Sequence, residues 1–467
     1  MAGAGAARLT VLLRPSLAGT GPAYAAVAAG LRGLALDGRL PAGARLPSER
    51  ELAAVLGLSR TTVTAAYDVL RADGYLHSAR GAGSRVALPA GRPARPEAEV
   101  SSGADRLDLT VAALPAPAVL LDAVTEAAAD LRPLLAGHGL HPLGLPDLRE
   151  AIAAHLSARG LRTTVEQILV TNGALHGWDL LLRSLTRPGD RVLVEEPTYP
   201  AVLDAVVAHR LRAVPLPVDS EGWDRTVRAG AAKVAHLTPD FHNPTGFHAD
   251  SRRRRAVLAA LRGAVVVADE TFVDVGHPDA PDHPPLASLG PGVVTLGSMS
   301  KAFWAGLRIG WVRAEPELVL RLAQSRAGQD LAGPVLDQLV AVRMLARSAE
   351  VLPARRRLLQ QQRDALVAAM AEHLPTWQVA VPRGGMVLWY ELPGAFSTRL
   401  ATLGQQDGIR LTAGPRFTLG GHHDRRLRLP FTMPASSAGA VAAALAGLVA
   451  QLDDAGATTV VPSRWTA

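Results

Sequence analysis

The 467-residue sequence contains no cysteine. That excludes disulfides, thiolate metal ligation, iron–sulfur clusters and cysteine nucleophiles, and it leaves the redox compartment open. Lysine is almost as scarce. Of 49 basic residues only Lys233 and Lys301 are lysines, so chemistry that needs an amine has two candidates. No run reaches the roughly 20 uninterrupted apolar residues of a membrane span, because Gly and Gln interrupt the Ala-rich stretch near residue 445. The N-terminus has no basic segment ahead of a long apolar core and cleavage site. The expectation is a cytoplasmic protein with no membrane partner. Histidines are present, but neither His422-His423-Asp424 nor the stretch from His277 to His283 has metal-site spacing, and no metal is expected.

What is present points to several folded domains. Hydrophobic residues at 48% and charged residues at 19% give an ordinary globular balance, and the length exceeds the about 100 to 200 residues of one domain. The net charge of +7 is uneven: residues 1–100 carry 12 Arg against 7 acids, whereas the remainder carries 37 basic against 35 acidic residues. A Pro, Gly, Ser and charge-rich stretch, LPAGRPARPEAEVSSGADR, separates a basic head from a longer body. The expected boundaries are a head at 1–88, a linker at 89–106, a large body domain at 107–345 and a small C-terminal domain at 346–467.

In the head, Tyr24, Val27, Ala28, Leu31, Leu34 and Ala35 recur at helical spacing and predict a first helix that stops near Asp37-Gly38. Ser48 and Glu51 form a capping box ahead of Leu52, Val55 and Leu56, and Gly57 ends the second helix. Ser59 caps a third, with Val63, Ala66, Tyr67 and Leu70 as its buried stripe. YLHS and SRVAL then flank a turn at Arg80-Gly81-Ala82-Gly83, a two-stranded wing. A recognition helix places its N-terminal residues against base edges in the major groove, which suits short Ser and Thr with one long Arg. The run RLPSERELAAVLGLSRTTVTAAYDVLRADGYLHSARGAGSRV closely resembles the winged helix-turn-helix of GntR-type bacterial transcription regulators. The resemblance implies that Arg45, Ser48 and Arg50 lie near phosphate or base, that Ser59, Arg60, Thr61 and Thr62 read the groove, and that Arg80 and Gly81 belong to the wing. Its partner would be double-stranded operator DNA.

The body alternates strands with helical patterns, the mark of an α/β domain with a mostly parallel sheet. Seven strand candidates, ILVTNG, RVLVEEP, RAVPLP, KVAHLTP, AVVVADE, VVTLGS and RIGWVRA, carry distinctive residues at or just after their ends, where α/β sheets bind ligands. Lys301 follows Ser298 and Ser300, with Arg308 seven residues on and Asp269 ending an earlier strand. This set suits pyridoxal 5'-phosphate. Lys301 would form the Schiff base, and Asp269 would keep the pyridine nitrogen protonated. Ser298, Ser300, Arg308 and the backbone amides of Ala174 and Leu175 would hold the phosphate. Asn243 would donate to the phenolic oxygen and Tyr199 would stack on the ring. Ser298-x-x-Lys301 also fits the SxxK of penicillin-recognising enzymes, but those need a KTG, and Lys233 is followed by Val-Ala. Ser251 with Arg252 to Arg255 opens a helix and reads as a solvated face.

HPLGLPDLREAIAAHL, VTNGALHG, EEPTYP, TPDFHNPTG, VVVADE, GSMSKAFWAGLRIGW, PRGGMVLW and LRLPFT resemble, in order and spacing, the motifs of fold-type I aminotransferases. The resemblance implies a large mixed sheet domain with a small α+β domain, a homodimer, and Arg428 as the grip on an effector's α-carboxylate. Behind a GntR-type head, the whole chain resembles MocR-type regulators. Two positions depart from the pattern. Thr271 and Phe272 stand where a tyrosine is usual, with Thr271 a partial substitute, and Gly139 stands where another is common. Three functions stay open on this reading: a pyridoxal phosphate-dependent regulator that senses an amine, an amino acid or the cofactor itself; an aminotransferase with an attached DNA-binding head; and a regulator whose body holds no cofactor.

Overall fold

A computed structural model describes residues 9–10, 12–13, 22–36, 40, 44–72, 75–79, 83–87, 107–224 and 226–457. The chain forms two compact units, one of residues 1–107 with 398–410 and 445–467, the other of residues 108–397 with 411–444.

The first unit holds helices α1 (Ala23–Leu36), α2 (Glu49–Leu56) and α3 (Arg60–Ala72), then strands β1 (Leu76–Ala79) and β2 (Gly83–Val86), which pair antiparallel. The capping box at Ser48 and Glu51 is formed in full, and Gly57 ends α2 at φ 68, a left-handed position that costs glycine least. Val27, Leu31, Leu52, Val63, Ala66, Tyr67 and Leu70 make one buried core, as the spacing predicts. Tyr24 departs from that prediction. At the first turn of α1 it is 41% exposed, because the helix has yet to reach the core. Glu49 accepts from Arg71 at 2.9 Å and from the Thr64 hydroxyl at 2.9 Å, which ties the start of α2 to α3. The Tyr67 hydroxyl donates to the Pro47 carbonyl at 2.9 Å and pins the turn before α2. Arg80 and Gly81 lie outside the described residues.

The two-residue strand β3 (Leu107–Asp108) spans the boundary of the two units, and the second unit then holds α4 (Leu120–Asp130) and α5 (Pro146–Ala158). Next come β4 (Ile168–Thr171), α6 (Ala174–Leu185), β5 (Arg191–Glu196), α7 (Pro200–Ala208), β6 (Arg212–Asp219), β7 (Gly222–Trp223) and β8 (Ala232–Leu237). Then follow α8 (Ser251–Ala260), β9 (Val265–Asp269), β10 (Val293–Ser298), β11 (Gly310–Arg313) and α9 (Pro316–Arg326). These strands build an eight-stranded sheet in the order β4-β11-β10-β9-β8-β5-β6-β7. All seven predicted strands are in it. The eighth, β7, is a two-residue return that carries no sequence signal. Strands β10, β9, β8, β5 and β6 are mutually parallel, whereas β11 runs antiparallel to both β10 and β4. Strands buried on both faces read as continuous apolar runs, and every residue of β4 and β11 is buried.

Beyond α10 (Val335–Ala346) and the long α11 (Ser348–His373), β12 (Val387–Glu391), α12 (Ser397–Gln406), β13 (Ile409–Arg410), β14 (Thr412–Ala413), β15 (Arg426–Pro430) and α13 (Ala438–Ala457) complete the chain. Strands β12, β15 and β14 form a second, antiparallel sheet. Helix α13 includes most of an 18-residue stretch, Ala435–Leu452, with mean hydropathy 1.6, long and apolar enough to cross a membrane by composition alone. Val441, Ala442, Leu445 and Leu448 are buried at helical spacing, a single stripe in a stretch that is 28% buried in all. In α8, Arg254 departs from the solvated face expected of the arginine run: it is fully buried, bonded to Asp240 at 2.5 Å and to the Ala249 and Pro284 carbonyls.

Candidate functional site

The parallel strands deliver their C-terminal ends to one edge of the sheet, and β11 starts there because it runs the other way, with Gly310 paired to Thr171. The chain thereby brings Asn172-Gly173 after β4, Tyr199 after β5, Asn243 after β8, Asp269 at the end of β9, Ser298 to Lys301 at the end of β10 and Arg308 before β11 to the same edge.

Lys301 donates from Nζ to the Ala112 carbonyl at 2.9 Å, and Nζ lies 5.4 Å from the centre of the Phe272 ring. Burial, reinforced by the positive charge of Arg428, pulls its pKa down from 10.5 to about 8, with Asp269 pulling the other way. A lysine held there is partly neutral near physiological pH, the state in which an amine attacks a carbonyl. Asp269 accepts the Thr271 N–H at 3.0 Å, and its other oxygen lies 3.7 Å from His236 Nε2. Thr271 thus serves Asp269 through its backbone. Phe272 is 5% exposed and offers a ring face where a tyrosine would offer a hydroxyl.

Behind Asp269 lies a buried polar layer that the sequence did not reveal. Burial lowers the His236 pKa, so the imidazole is neutral, and neither ring nitrogen has a hydrogen-bond partner among the described residues. Glu195 accepts from Trp223 at 2.6 Å and from the Thr238 N–H at 2.9 Å, and lies 3.3 Å from His242. Burial pushes the Glu195 carboxyl up, but His242 and Trp223 more than offset it, leaving it below the usual range. Asn243 is buried, and its Oδ1 has no partner among the described residues.

The far end of the site gathers backbone amides and an arginine, donors that suit an anion. Gly173 precedes α6 at φ 86, so the first amides of that helix, from Ala174 and Leu175, open toward the sheet edge. Arg308, itself at φ 51, donates to the Asn172 carbonyl at 3.1 Å, and a Cβ on Gly173 would come within 3.0 Å of its guanidinium. Ser298 donates to the Ile309 carbonyl at 3.3 Å and accepts the Ser300 N–H at 3.1 Å, closing the turn. A Cβ on Gly310 would lie 2.6 Å from the Gly173 carbonyl carbon and 2.8 Å from the Ala174 nitrogen. Gly310→Ala is therefore expected to push the α6 N-terminus away and to cost about 1–3 kcal/mol of stability, read by urea unfolding.

Arg428, on β15, is 4% exposed. It donates to the Thr110 carbonyl and lies 5.5 Å over the Phe417 ring, while its Nε has no partner among the described residues. Burial pulls its pKa down to about 10, against the pull of Tyr199 and Asp108. A buried guanidinium with an unsatisfied Nε among the described residues is costly, and a carboxylate ligand would relieve the cost. Tyr199 stands at the N-terminal end of α7 and is 41% exposed. Gly139 takes a left-handed φ of 70, a conformation in which a tyrosine would be strained.

In the other unit, Arg45, Ser48, Arg50, Ser59, Arg60 and Thr61 are exposed and Thr62 is half-buried. The Ser59 hydroxyl bonds the Thr61 and Thr62 hydroxyls, each at 2.7 Å, and accepts the Thr62 N–H at 3.1 Å, so it shapes the tip of α3. Ser48 is engaged with Glu51 in the same way. Arg60 projects from that tip unshielded.

Two families match the chain: aminotransferase class I and II over residues 105–445, and bacterial regulatory proteins of the gntR family over residues 23–86. The sequence is 31% identical over 371 residues to the HTH-type pyridoxine biosynthesis transcriptional regulator PdxR of Corynebacterium glutamicum, covering 76% of this chain and 80% of that protein. It is 29% identical over 381 residues to the "Probable rhizopine catabolism regulatory protein MocR" of Rhizobium meliloti, covering 74% and 77%. Among solved structures, the alpha-aminoadipate aminotransferase LysN of Thermus thermophilus, complexed with N-(5'-phosphopyridoxyl)-L-leucine, matches with a TM-score of 0.67 at 28% identity, covering 75% of this chain and 94% of that one.

Proposed function

We propose, for a chain that belongs to the aminotransferase class I and II family and joins such a body to a gntR-family DNA-binding head, that it is a transcription regulator whose body holds pyridoxal 5'-phosphate on Lys301 and responds to an amine or amino acid, or to the cofactor itself. The observation that carries this reading is the convergence of Lys301, Asp269, Asn243 and Arg308 on one sheet edge in a chain that keeps only one other lysine. The residues fit the group. The turn at Gly173 leaves a cradle that a side chain would fill, and Lys301 is a softened amine.

When bound, the cofactor supplies a cationic ring that withdraws electrons from an attached amine. The chain does the rest. Asp269 holds the proton on the ring nitrogen, the α6 amides with Arg308, Ser298 and Ser300 orient the phosphate, and Asn243 donates to the phenolic oxygen. Tyr199 and Phe272 supply aromatic surface at the ring. Arg428 takes the carboxylate of an amino-acid effector. An effector that binds one arrangement of the protein better than another shifts the population, and operator affinity changes with it. Homodimerisation would pair two heads on two half-sites, in the cytoplasm where the operator lies. The relative named for pyridoxine biosynthesis keeps the cofactor itself in view as a signal.

A second reading, turnover as an aminotransferase, is favoured by the full set of Lys301, Asp269, Asn243, Arg308 and Arg428, and opposed by the lack of a hydroxyl at Phe272. Steady production of a keto acid from an amino donor would support it.

The test is selection of duplex DNA from a random pool by the full-length protein, then titration with pyridoxal phosphate and a panel of amines. A selected sequence whose affinity shifts with ligand supports the proposal, and failure to select any duplex above non-specific binding overturns it. On the selected site, Arg60→Ala is expected to weaken binding about tenfold or more, with loss of base discrimination if it reads a base and a salt slope reduced by about one if it contacts phosphate.

A further inference from the structure

We propose that Asp330, a residue distant in sequence from every binding motif, is a positioning residue for the phosphate end of the site and acts through Asn172. The inference rests on the reading of the body as a pyridoxal phosphate site and specifies what holds one end of it in shape.

Arg326 closes α9 and is completely buried, so its charge requires a counter-charge. Asp330, one turn on, accepts from Arg326 Nε at 2.6 Å and from Nη2 at 3.0 Å. The remaining nitrogen, Nη1, donates to the carbonyl of Val170 at 2.7 Å and to that of Pro142 at 3.0 Å. Val170 lies in β4, two residues before the turn that opens α6. The ion pair therefore fixes the end of the strand.

The same carboxylate fixes the turn. Asp330 Oδ2 accepts the Asn172 side-chain amide at 2.5 Å, a charge-assisted bond across 158 residues of sequence. The Asn172 N–H donates to His176 Nδ1 at 3.1 Å. Its carbonyl is thereby aimed to accept from Arg308 at 3.1 Å, and Gly173 follows at once. On its other side the amide is confined, since a Cβ on Gly333 would lie 3.2 Å from Asn172 Oδ1. Asp330 thus controls the rotation of the one residue whose backbone orients Arg308 and launches the α6 amides. Among the described residues no hydrogen bond of this network reaches Asp269 or Lys301, so its loss should be felt chiefly at the phosphate end.

Visible-absorbance titrations of the full-length protein with pyridoxal phosphate and with pyridoxal, which lacks the phosphate, separate the two ends. Asn172→Ala is expected to weaken pyridoxal phosphate about tenfold, the worth of one hydrogen bond to a charged group, and to change pyridoxal affinity by less than about twofold. Asp330→Asn should do at least as much. Should Asp330→Asn fail to fold because Arg326 is left uncompensated, Asn172→Ala, which keeps that pair, gives the answer. Equal losses for both ligands, or no loss for pyridoxal phosphate, overturn the role of Asp330. A wild-type protein that gives no band with either ligand overturns the cofactor reading, and this inference with it.

Discussion

Lys301→Ala is expected to abolish the visible band that the wild-type protein acquires with pyridoxal phosphate, and to weaken retention of the cofactor through gel filtration by more than about a hundredfold, since the covalent tie is lost while the phosphate contacts remain. The pH dependence follows from the same amine. Capture of a carbonyl requires the neutral form, and burial lowers the Lys301 pKa to about 8. Below pH 8 the capture rate should fall about tenfold per unit as the ammonium accumulates; above it the rate should level off, whereas an ordinary surface lysine would keep gaining up to about 10.4. A wild-type band that survives in Lys301→Ala would place the tie elsewhere, and Lys233 is the only other lysine. A protein with no band at all would leave the cofactor-free regulator standing.

How much of this was legible in the sequence depends on whether a feature is local. The capping box at Ser48, the stripe of Val63, Ala66, Tyr67 and Leu70, and the seven apolar runs of the large sheet are spelled out within a dozen residues each, and periodicity is enough to read them. The convergence of Lys301, Asp269 and Arg308 was legible because sheet topology forces strand ends together. The supports were not legible. Asp330 to Asn172 spans 158 residues, and Glu49 reaches Arg71 across 22. A lone carboxylate in a turn has no pattern that names its partner. The arginine run of α8 shows the same limit: adjacent residues of one type meet different environments because a helix turns by about 100° per residue, and so Arg254 is buried between a half-buried Arg253 and an exposed Arg255. His236 was hidden for a related reason. In a strand buried on both faces, alternation no longer separates a functional side chain from a packing one.

Arg428→Ala should divide ligands by whether they carry a carboxylate. The guanidinium is buried, it spends one nitrogen on the Thr110 carbonyl, and its Nε has no partner among the described residues, so an α-carboxylate would find a desolvated donor. Removing one partner of such a pair costs about 2–5 kcal/mol. The effect of amino acids on the spectrum, and on operator binding, should therefore weaken about a hundredfold, while simple amines of the same size are affected little. A structural collapse would penalise both classes equally, which makes the ratio the informative quantity. The variant also reports on Lys301. Arg428 is one of the charges that hold the lysine pKa down, so its removal should move the midpoint of cofactor capture above pH 8, toward the ordinary lysine value. A discriminating loss of amino acids together with a raised midpoint would place the amine and the carboxylate grip in one site. A raised midpoint with undiminished amino-acid response would mean that the two are neighbours electrostatically but that the effector's carboxylate binds elsewhere.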